Sequence, residues 1–245
     1  MKCNMLKFNQ DKIKVTIFSP KKHVNKFCDF SFYLGEWLIK CSTSVKSLGV
    51  HLDITLSMQK HINMKTKSAH NQIRNIWTIR KSLTENATKS LVNALVIPKI
   101  DYCNSLLFDV KQNLRMKFQR VQNSAARLIK KSKKRQHITP HLKDLHWLPV
   151  QYRIEFKILL IVFKALHGKA PQYISCLLSN FRITRSDNLK LTIPSVNLVR
   201  TGGRAFNFTA PMLWNQLPLM VRQSETVEIF KKNLKTYYFK KHFGD

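Results

Sequence analysis

The spacing of hydrophobic residues changes along the chain from a strand-like to a helix-like pattern. Residues 12–18 alternate between polar and apolar side chains, and residues 27–40 contain two strand-like segments around a Gly-Glu turn. Alternation between turn signals is typical of β-strands, so we predict a strand at 12–18 and a hairpin at 27–40. We predict a further strand at 45–52, in which Gly49 allows a bulge or a close backbone approach.

From residue 58 onward, apolar residues recur with the 3.6-residue period of an α-helix. We predict three helices. The first spans 58–80, the second begins at a capping box formed by Ser82 and Glu85, and the third spans 111–131. Pro98 should end or kink the second of these helices, because proline lacks the N–H that the helix needs. The apolar positions of the first two helices are Ile62, Ala69, Ile73, Ile76, Leu83, Leu91, Leu95 and Val96.

The remainder of the chain continues the helical pattern. Thr139 and Pro140 form an N-cap and first-turn pair, and Ser224 is the expected N-cap of a final helix. Residues 151–167 are apolar over much of a helical circumference, so this helix should be central to a second core. The expected buried face of the final helix consists of Val227, Phe230, Leu234 and Tyr237.

These patterns predict an α+β fold that is predominantly helical. We expect three parts: a small β-rich segment at 1–57, a three-helix bundle at 58–135 and a helical C-terminal domain at 136–245. The four short strands are a poor basis for an independent domain, so the β-rich segment reads as the edge of a larger sheet.

The segment 114–135 combines a clear apolar side with an unusual concentration of positive charge. Its apolar side consists of Leu114, Phe118, Val121, Ala125 and Leu128. In a helical projection, four cations fall within about 80° of arc beside it: Lys117, Arg120, Arg127 and Lys131. A basic run completes the segment: Lys130, Lys131, Lys133, Lys134 and Arg135. Because solvated faces normally mix both signs, the absence of any acidic residue from 110–143 favours contact with an anionic partner.

The whole chain is also strongly basic. Lys and Arg outnumber Asp and Glu by 43 to 13, which gives a formal net charge of +30. This excess favours the phosphate backbone of RNA or DNA over a merely solvated surface, with an anionic membrane surface a distant third. Lysines and arginines that contact phosphates read no base sequence, so the expected binding is sequence-nonspecific.

The sequence gives few indications of other chemistry. Five widely spaced cysteines predict reduced thiols, mostly within cores, and no stretch is apolar enough to span a membrane. The first residues lack the apolar run of a signal peptide, so we expect a nuclear or cytoplasmic protein. His137 and His141 have a spacing that can bind zinc, but no third ligand is evident, so we expect no metal and no cofactor. The four tryptophans could stack on bases, although Trp147 and Trp214 are expected to lie in cores.

Several longer strings resemble one protein family. They are LKFNQDK, VKSLGVHLD, LVNALVIPKIDYCNSLLF, QRVQNSAARLI, HITPHLKDLHWLPVQYRIEFKILLIVFKALHGKAPQYI and GRAFNFTAPMLWNQLP. In this order they resemble the C-terminal part of reverse transcriptases from jockey-type non-LTR retrotransposons. The resemblance covers nearly all 245 residues.

The resemblance implies a function for each part of the chain. The β-rich segment would be the end of the polymerase palm, where the family has an Asn and a Lys that correspond to Asn9 and Lys12. Leu48, Gly49 and Val50 would lie near the primer end in the hairpin that grips the primer. The three-helix stretch would be the thumb, which helps to hold the template–primer.

The residues that catalyse polymerisation in this family are missing. The family needs palm aspartates, including an Asp-Asp pair, to hold two metal ions, and no Asp-Asp dipeptide occurs here. We therefore expect a truncated, catalytically inactive fragment that retains nonspecific nucleic-acid binding. The alternatives are an inert or domesticated protein that binds acidic proteins, and, less favoured, a nuclease. The oligomeric state stays open.

Overall fold

The computed structural model describes residues 13–26, 30–179, 189–195 and 205–244. The fold is α+β and predominantly helical, as predicted. The chain divides into two compact units, Met1–Lys65 and Thr66–Asp245. The predicted boundary at residue 135 stays a prediction, and the helices on both sides of it belong to the second unit.

The described part of the first unit contains two separate antiparallel strand pairs. The strands are β1 Ser31–Leu34, β2 Trp37–Lys40, β3 Ser44–Ser47 and β4 Val50–Asp53, and a 3₁₀ helix precedes them at Lys21–Lys26. β1 pairs with β2 around Gly35, where φ is +63°, so the predicted hairpin is confirmed over 31–40. Residues 27–29 of the predicted range lie outside the described residues.

Two strand predictions need correction. The segment 45–52 is not one strand but a hairpin, because Leu48 and Gly49 have φ values of 44° and 80° and reverse the chain between Ser47 and Val50. Positive φ at both central residues defines the tight turn whose twist matches that of antiparallel strands. Within 13–18, only Val15 makes a ladder contact, an isolated bridge to Cys41. Alternation shows which side chains share a face, but a strand also needs a partner along its length.

The second unit is built from helices of very different lengths. α1 Gln59–Thr78 begins in the first unit and ends in the second, and 3₁₀ helices lie at Arg80–Ser82 and Asn104–Leu107. The other helices are α2 Glu85–Leu95, α3 Ile97–Asp101, α4 Gln112–Lys130, α5 Thr139–Asp144, α6 Val150–Leu166, α7 Gln172–Ser179, α8 Phe206–Asn215, α9 Leu219–Arg222 and α10 Val227–Phe243.

α6 is the central helix of the second unit, as its all-round apolar pattern predicts. It packs against α4, α7, α8 and α10. The Phe163 ring stacks on the Phe230 ring of α10, with the ring centroids 4.2 Å apart. The Trp214 ring of α8 lies on Phe230 as well, with 5.9 Å between these two centroids. All three side chains are fully buried. Burying an aromatic side chain of this size stabilises a core by about 2–3 kcal/mol.

The helix α8 is absent from the sequence-based prediction. Pro211 lies inside it, and a proline within a helix normally argues against helical structure. Burial of Ala210, Pro211 and Trp214 in the core outweighs the lost hydrogen bond. The indole N–H of Trp214 also donates to the Leu189 carbonyl over 2.9 Å.

The predicted helix starts are displaced by one or two residues. The N-cap of α2 is Thr84, not Ser82, and the N-cap of α10 is Thr226, not Ser224. Both threonines have extended backbones that let the hydroxyl accept the N–H three residues on, whereas Ser82 lies in a 3₁₀ turn. Thr139 is the first residue of α5, and its N-cap is Ile138.

Two burial predictions also need correction. Tyr238 of α10 is buried, and Tyr237 is only half-buried. Tyr238 lies eleven residues after the buried Val227, which is close to three full helical turns, so the two side chains point in the same direction, whereas Tyr237 points about 80° away from Val227. Cys103 and Cys176 are exposed, so they are not core residues, and Cys41 is half-buried. Cys3 and Cys28 lie outside the described residues.

In the part of the chain that the structure describes, we find no helix with the length and apolar character to cross a membrane.

Candidate nucleic-acid interface

α4 places its apolar side in the core as predicted. The residues Leu114, Phe118, Val121, Ala125 and Leu128 are all buried. This side packs against α2, α5 and α6. Burial of one side leaves the opposite, polar side of the helix facing solvent.

The four predicted stripe cations lie beside the buried side, along one edge of the polar side. Arg120 and Lys131 are exposed, and Lys117 and Arg127 are half-buried. The alkyl stem of Lys117 can lie along apolar surface while its charged end stays in water, whereas the Nε atom of Arg127 is itself buried. The helix therefore presents a row of cations along about four turns.

The basic run after α4 is held against the end of the helix. Ser132 N–H donates to the Arg127 carbonyl, and a turn closes where Gln136 N–H donates to the Lys133 carbonyl, both over 3.1 Å. The Arg127 guanidinium donates to the Gln136 carbonyl over 3.2 Å. Lys133, Lys134 and Arg135 are exposed on this turn. Positive charge is favoured at a helix C-terminus, where the helix dipole is negative.

Lys131 ends the helix in a backbone conformation that lysine rarely adopts. Its φ and ψ are 51° and 30°, in the left-handed region, and its N–H donates to the Arg127 carbonyl. Glycine usually occupies this position because it has no Cβ to clash. A lysine here carries a conformational cost of about 1 kcal/mol.

Lys130 differs from the other predicted cations because two carboxylates bind it. Its ammonium forms ion pairs with Asp144 and Glu85. Hydrogen bonds to Asp144 and Glu85 raise the pKa of the Lys130 ammonium, and the bond to Lys130 lowers the pKa of the Asp144 carboxyl. These pairs link α4 to α2 and α5, so Lys130 is less available to a phosphate than its neighbours. We call the other predicted cations, which are exposed or half-buried, the α4 basic surface: Lys117, Arg120, Arg127, Lys131, Lys133, Lys134 and Arg135.

Arg80 holds the C-terminal end of α4, a role that the sequence analysis missed. The side chain is buried, and its Nε and Nη2 donate to the carbonyls of Leu128 and Ile129, both over 2.8 Å. Nη1 donates to the Leu83 carbonyl over 2.7 Å. The last carbonyls of a helix have no partner within the helix, so Arg80 satisfies two of them. A signal existed: Arg80 continues the helical direction of Ala69, on the apolar side of α1.

Two glutamines fix the position of α4 relative to α6. Gln122 is fully buried and donates to the Leu148 carbonyl over 2.9 Å. The Gln119 side chain accepts the N–H of Val150, the first residue of α6, also over 2.9 Å. The N–H groups at a helix start lack partners within that helix, so Gln119 satisfies one of them. These contacts set the orientation in which the polar side of α4 faces outward.

The residues that the resemblance associates with the primer lie at the tip of the β3–β4 hairpin in the first unit. Leu48 is 89% exposed, Gly49 shares the turn with it, and Val50 is buried. The exposed tip gives Leu48 access to a ligand, whereas Val50 serves the local packing. Asn9 and Lys12 lie outside the described residues.

The other candidate chemistries have no assembled site in the described part of the chain. No group of three or more His, Cys, Asp and Glu side chains there could hold a metal ion. His137 precedes α5 and His141 lies within it, so the two histidines do not share one regular helix. Trp147 and Trp214 are buried as expected, whereas Trp77 and Trp37 are 68% and 44% exposed.

Comparisons of the chain with protein-family models, with curated proteins and with solved structures found no match.

Proposed function

We propose that this chain binds RNA or DNA through the phosphate backbone, without sequence specificity, on the α4 basic surface. The observation that carries the proposal is the arrangement of exposed and half-buried cations along one side of α4 and on the turn that is hydrogen-bonded to its end. Lys and Arg side chains that neutralise phosphates release condensed counterions, and this release supplies most of the free energy of nonspecific binding.

The distribution of acidic residues supports this proposal. No acidic residue occurs between 110 and 143, and the carboxylates of Glu85 and Asp144 both bind Lys130. Among the other predicted cations, Arg120, Arg127, Lys131, Lys133, Lys134 and Arg135 form no ion pair with a described residue. A solvated surface normally intersperses both signs, so the arrangement favours an anionic ligand.

The resemblance to jockey-type reverse transcriptases is a second, independent support. It would make α1, α2 and α4 a thumb-like part that holds the template–primer. Residues 1–245 contain no Asp-Asp dipeptide, so polymerisation is not part of the proposal.

The test is the salt dependence of binding to a fluorescently labelled primer–template, measured by anisotropy. We expect a dissociation constant of about 1–100 µM at physiological salt, as for other nonspecific complexes. If about six phosphates are neutralised, the logarithm of the binding constant should fall with the logarithm of salt concentration with a slope near −5. Changing Lys117, Arg120, Arg127 and Lys131 together to Gln should weaken binding at least tenfold and make the slope shallower by about 3.

A matched control removes four exposed cations from another helix. Changing Lys231, Lys232, Lys235 and Lys240 of α10 to Gln lowers the net charge equally and leaves α4 intact. We expect this variant to keep nearly the wild-type slope. Equal losses in the two variants would show that only net charge matters. If the protein does not bind the primer–template but does bind an acidic polypeptide such as polyglutamate, the result would favour the alternative in which the partner is an acidic protein.

A further inference from the structure

The last turn of α1 carries a tryptophan that the fold leaves in solvent. Trp77 is 68% exposed, whereas Trp147 and Trp214 are 7% and 1% exposed. Its neighbour Ile76 is buried and points about 100° away around the helix. The apolar side of α1 therefore packs without Trp77, and the indole ring is not needed to complete the core.

The surroundings of Trp77 are basic. Arg74 lies one helical turn before it and Lys81 follows in the 3₁₀ turn, and both are exposed. Residues three or four apart on a helix are neighbours in space, so Arg74 lies beside the indole ring. Neither cation forms an ion pair with a described residue. The whole segment 54–84 contains no acidic residue.

Trp77 also lies close to the α4 basic surface. Arg80, three residues after Trp77, donates hydrogen bonds to the carbonyls of Leu128 and Ile129 in the last turn of α4. The end of α1 is therefore adjacent to the end of α4, where Lys131 begins the basic run. Both ends belong to the second unit.

We propose that Trp77 stacks on an unpaired base of a single-stranded nucleic acid whose phosphates lie on the α4 basic surface. This inference rests on the proposed function and adds a preference for single strands. Exposed aromatic rings beside cations are the usual means by which proteins hold single strands, because every base has a flat face and the contact tolerates any sequence. In a duplex the base faces already stack on each other, so Trp77 would gain nothing there. A protein partner fits less well, because the exposed charged side chains nearest to Trp77 in the sequence, Arg74 and Lys81, are both cations.

The experiment compares a labelled dT oligonucleotide with an abasic oligonucleotide that has the same number of phosphates, in the full chain. Trp77→Leu removes the ring and keeps an apolar side chain. We expect it to weaken binding to the dT oligonucleotide about tenfold and to leave binding to the abasic oligonucleotide unchanged. Trp77→Phe should recover most of the loss, since a phenyl ring can also stack. An rU oligonucleotide should behave as the dT oligonucleotide does.

Tryptophan fluorescence gives a second measurement. Binding of the dT oligonucleotide should quench emission of the wild-type protein, and the quenching should be largely lost in Trp77→Leu. The matched control is Trp37→Leu, which removes another exposed tryptophan, from β2 of the first unit, and should leave both affinities unchanged.

The outcomes separate this inference from the proposed function. Salt-dependent binding of both oligonucleotides that is indifferent to Trp77→Leu would overturn stacking and leave the proposed function intact. An equal loss on the abasic oligonucleotide would also overturn stacking, because no base is present there. If neither oligonucleotide binds, both the proposed function and this inference fail.

Discussion

Lys131 combines a positive charge with a backbone conformation that is unfavourable for its residue type. Glycine at the same position would avoid the steric cost of a left-handed φ of 51°. Backbone strain that a smaller residue would remove is often found at functional positions, where the side chain has a use. Here the side chain would contribute a cation at the point where α4 meets the basic turn.

Stability and binding should therefore respond in opposite directions to Lys131→Gly. We expect the free energy of unfolding to increase by about 0.5–1 kcal/mol, because relief of strain exceeds the entropy that glycine adds to the unfolded chain. The salt slope of nucleic-acid binding should become shallower by about 1, since one phosphate contact is lost. Urea denaturation and anisotropy measure the two effects.

Lys131→Arg is the control at this position, because it keeps both the charge and the strain. It should match the wild type in stability and in salt slope. If Lys131→Gly binds nucleic acid with the wild-type salt slope, Lys131 does not contact a phosphate.

At the scale of the elements, Arg80 joins the end of α1 to the end of α4. One buried guanidinium donates hydrogen bonds to the carbonyls of Leu83, Leu128 and Ile129. The planar guanidinium directs several donors at once, and a lysine cannot reproduce this geometry. The clamp holds the last turn of α4 and so positions the basic turn that follows.

Removing the clamp should both destabilise the second unit and loosen the end of α4. We expect Arg80→Met to lower the free energy of unfolding by about 2–4 kcal/mol, because it leaves buried carbonyls without donors. Hydrogen exchange should accelerate at Lys131 and Ser132, whose N–H groups donate to Arg127 at the frayed end. Arg74→Met, at an exposed position of α1, should change stability by less than about 0.5 kcal/mol. Unchanged exchange at the α4 end would contradict the clamp.

At the scale of the whole molecule, a net charge of +30 makes the folded chain repel itself. The ion pairs of Lys130 and the pair between Arg153 and Asp101 use only a few of the cations. Most of the positive charge is therefore balanced by solvent ions or by a polyanionic ligand. The free energy of unfolding should therefore depend on the salt concentration and on whether a polyanionic ligand is bound.

We expect the melting temperature to rise as sodium chloride increases from about 20 to about 300 mM, because screening weakens the repulsion. Both four-residue Gln variants described above should show a smaller rise, equal in the two, since self-repulsion depends on total charge and binding depends on location. Differential scanning fluorimetry measures the effect. A melting temperature that falls with salt would show that attractive pairs dominate instead.

A nearly complete account of α4 follows from its amino-acid sequence. Its helical period, its buried side and the outward direction of its cations depend on residues three and four apart, so local spacing determines them. The hairpin at 31–40 and the central place of α6 follow from the same kind of local pattern. Helix starts are less well determined, because Ser82 and Thr84 are both suitable caps and only the backbone before the helix selects one.

Only the tertiary structure decided which of the charged and aromatic residues are available to a ligand. Lys130 is paired because the fold brings Glu85 and Asp144 to it, and Arg80 is buried because the end of α4 lies over it. Trp77 is exposed because α1 packs along Ile76 and Ala69 instead. Each of these outcomes depends on contacts between residues far apart in the sequence, or on which side of an amphipathic helix meets the core. The period of the hydrophobic residues identifies the apolar side of one helix. It contains no information about which residues of a second helix pack beside that side.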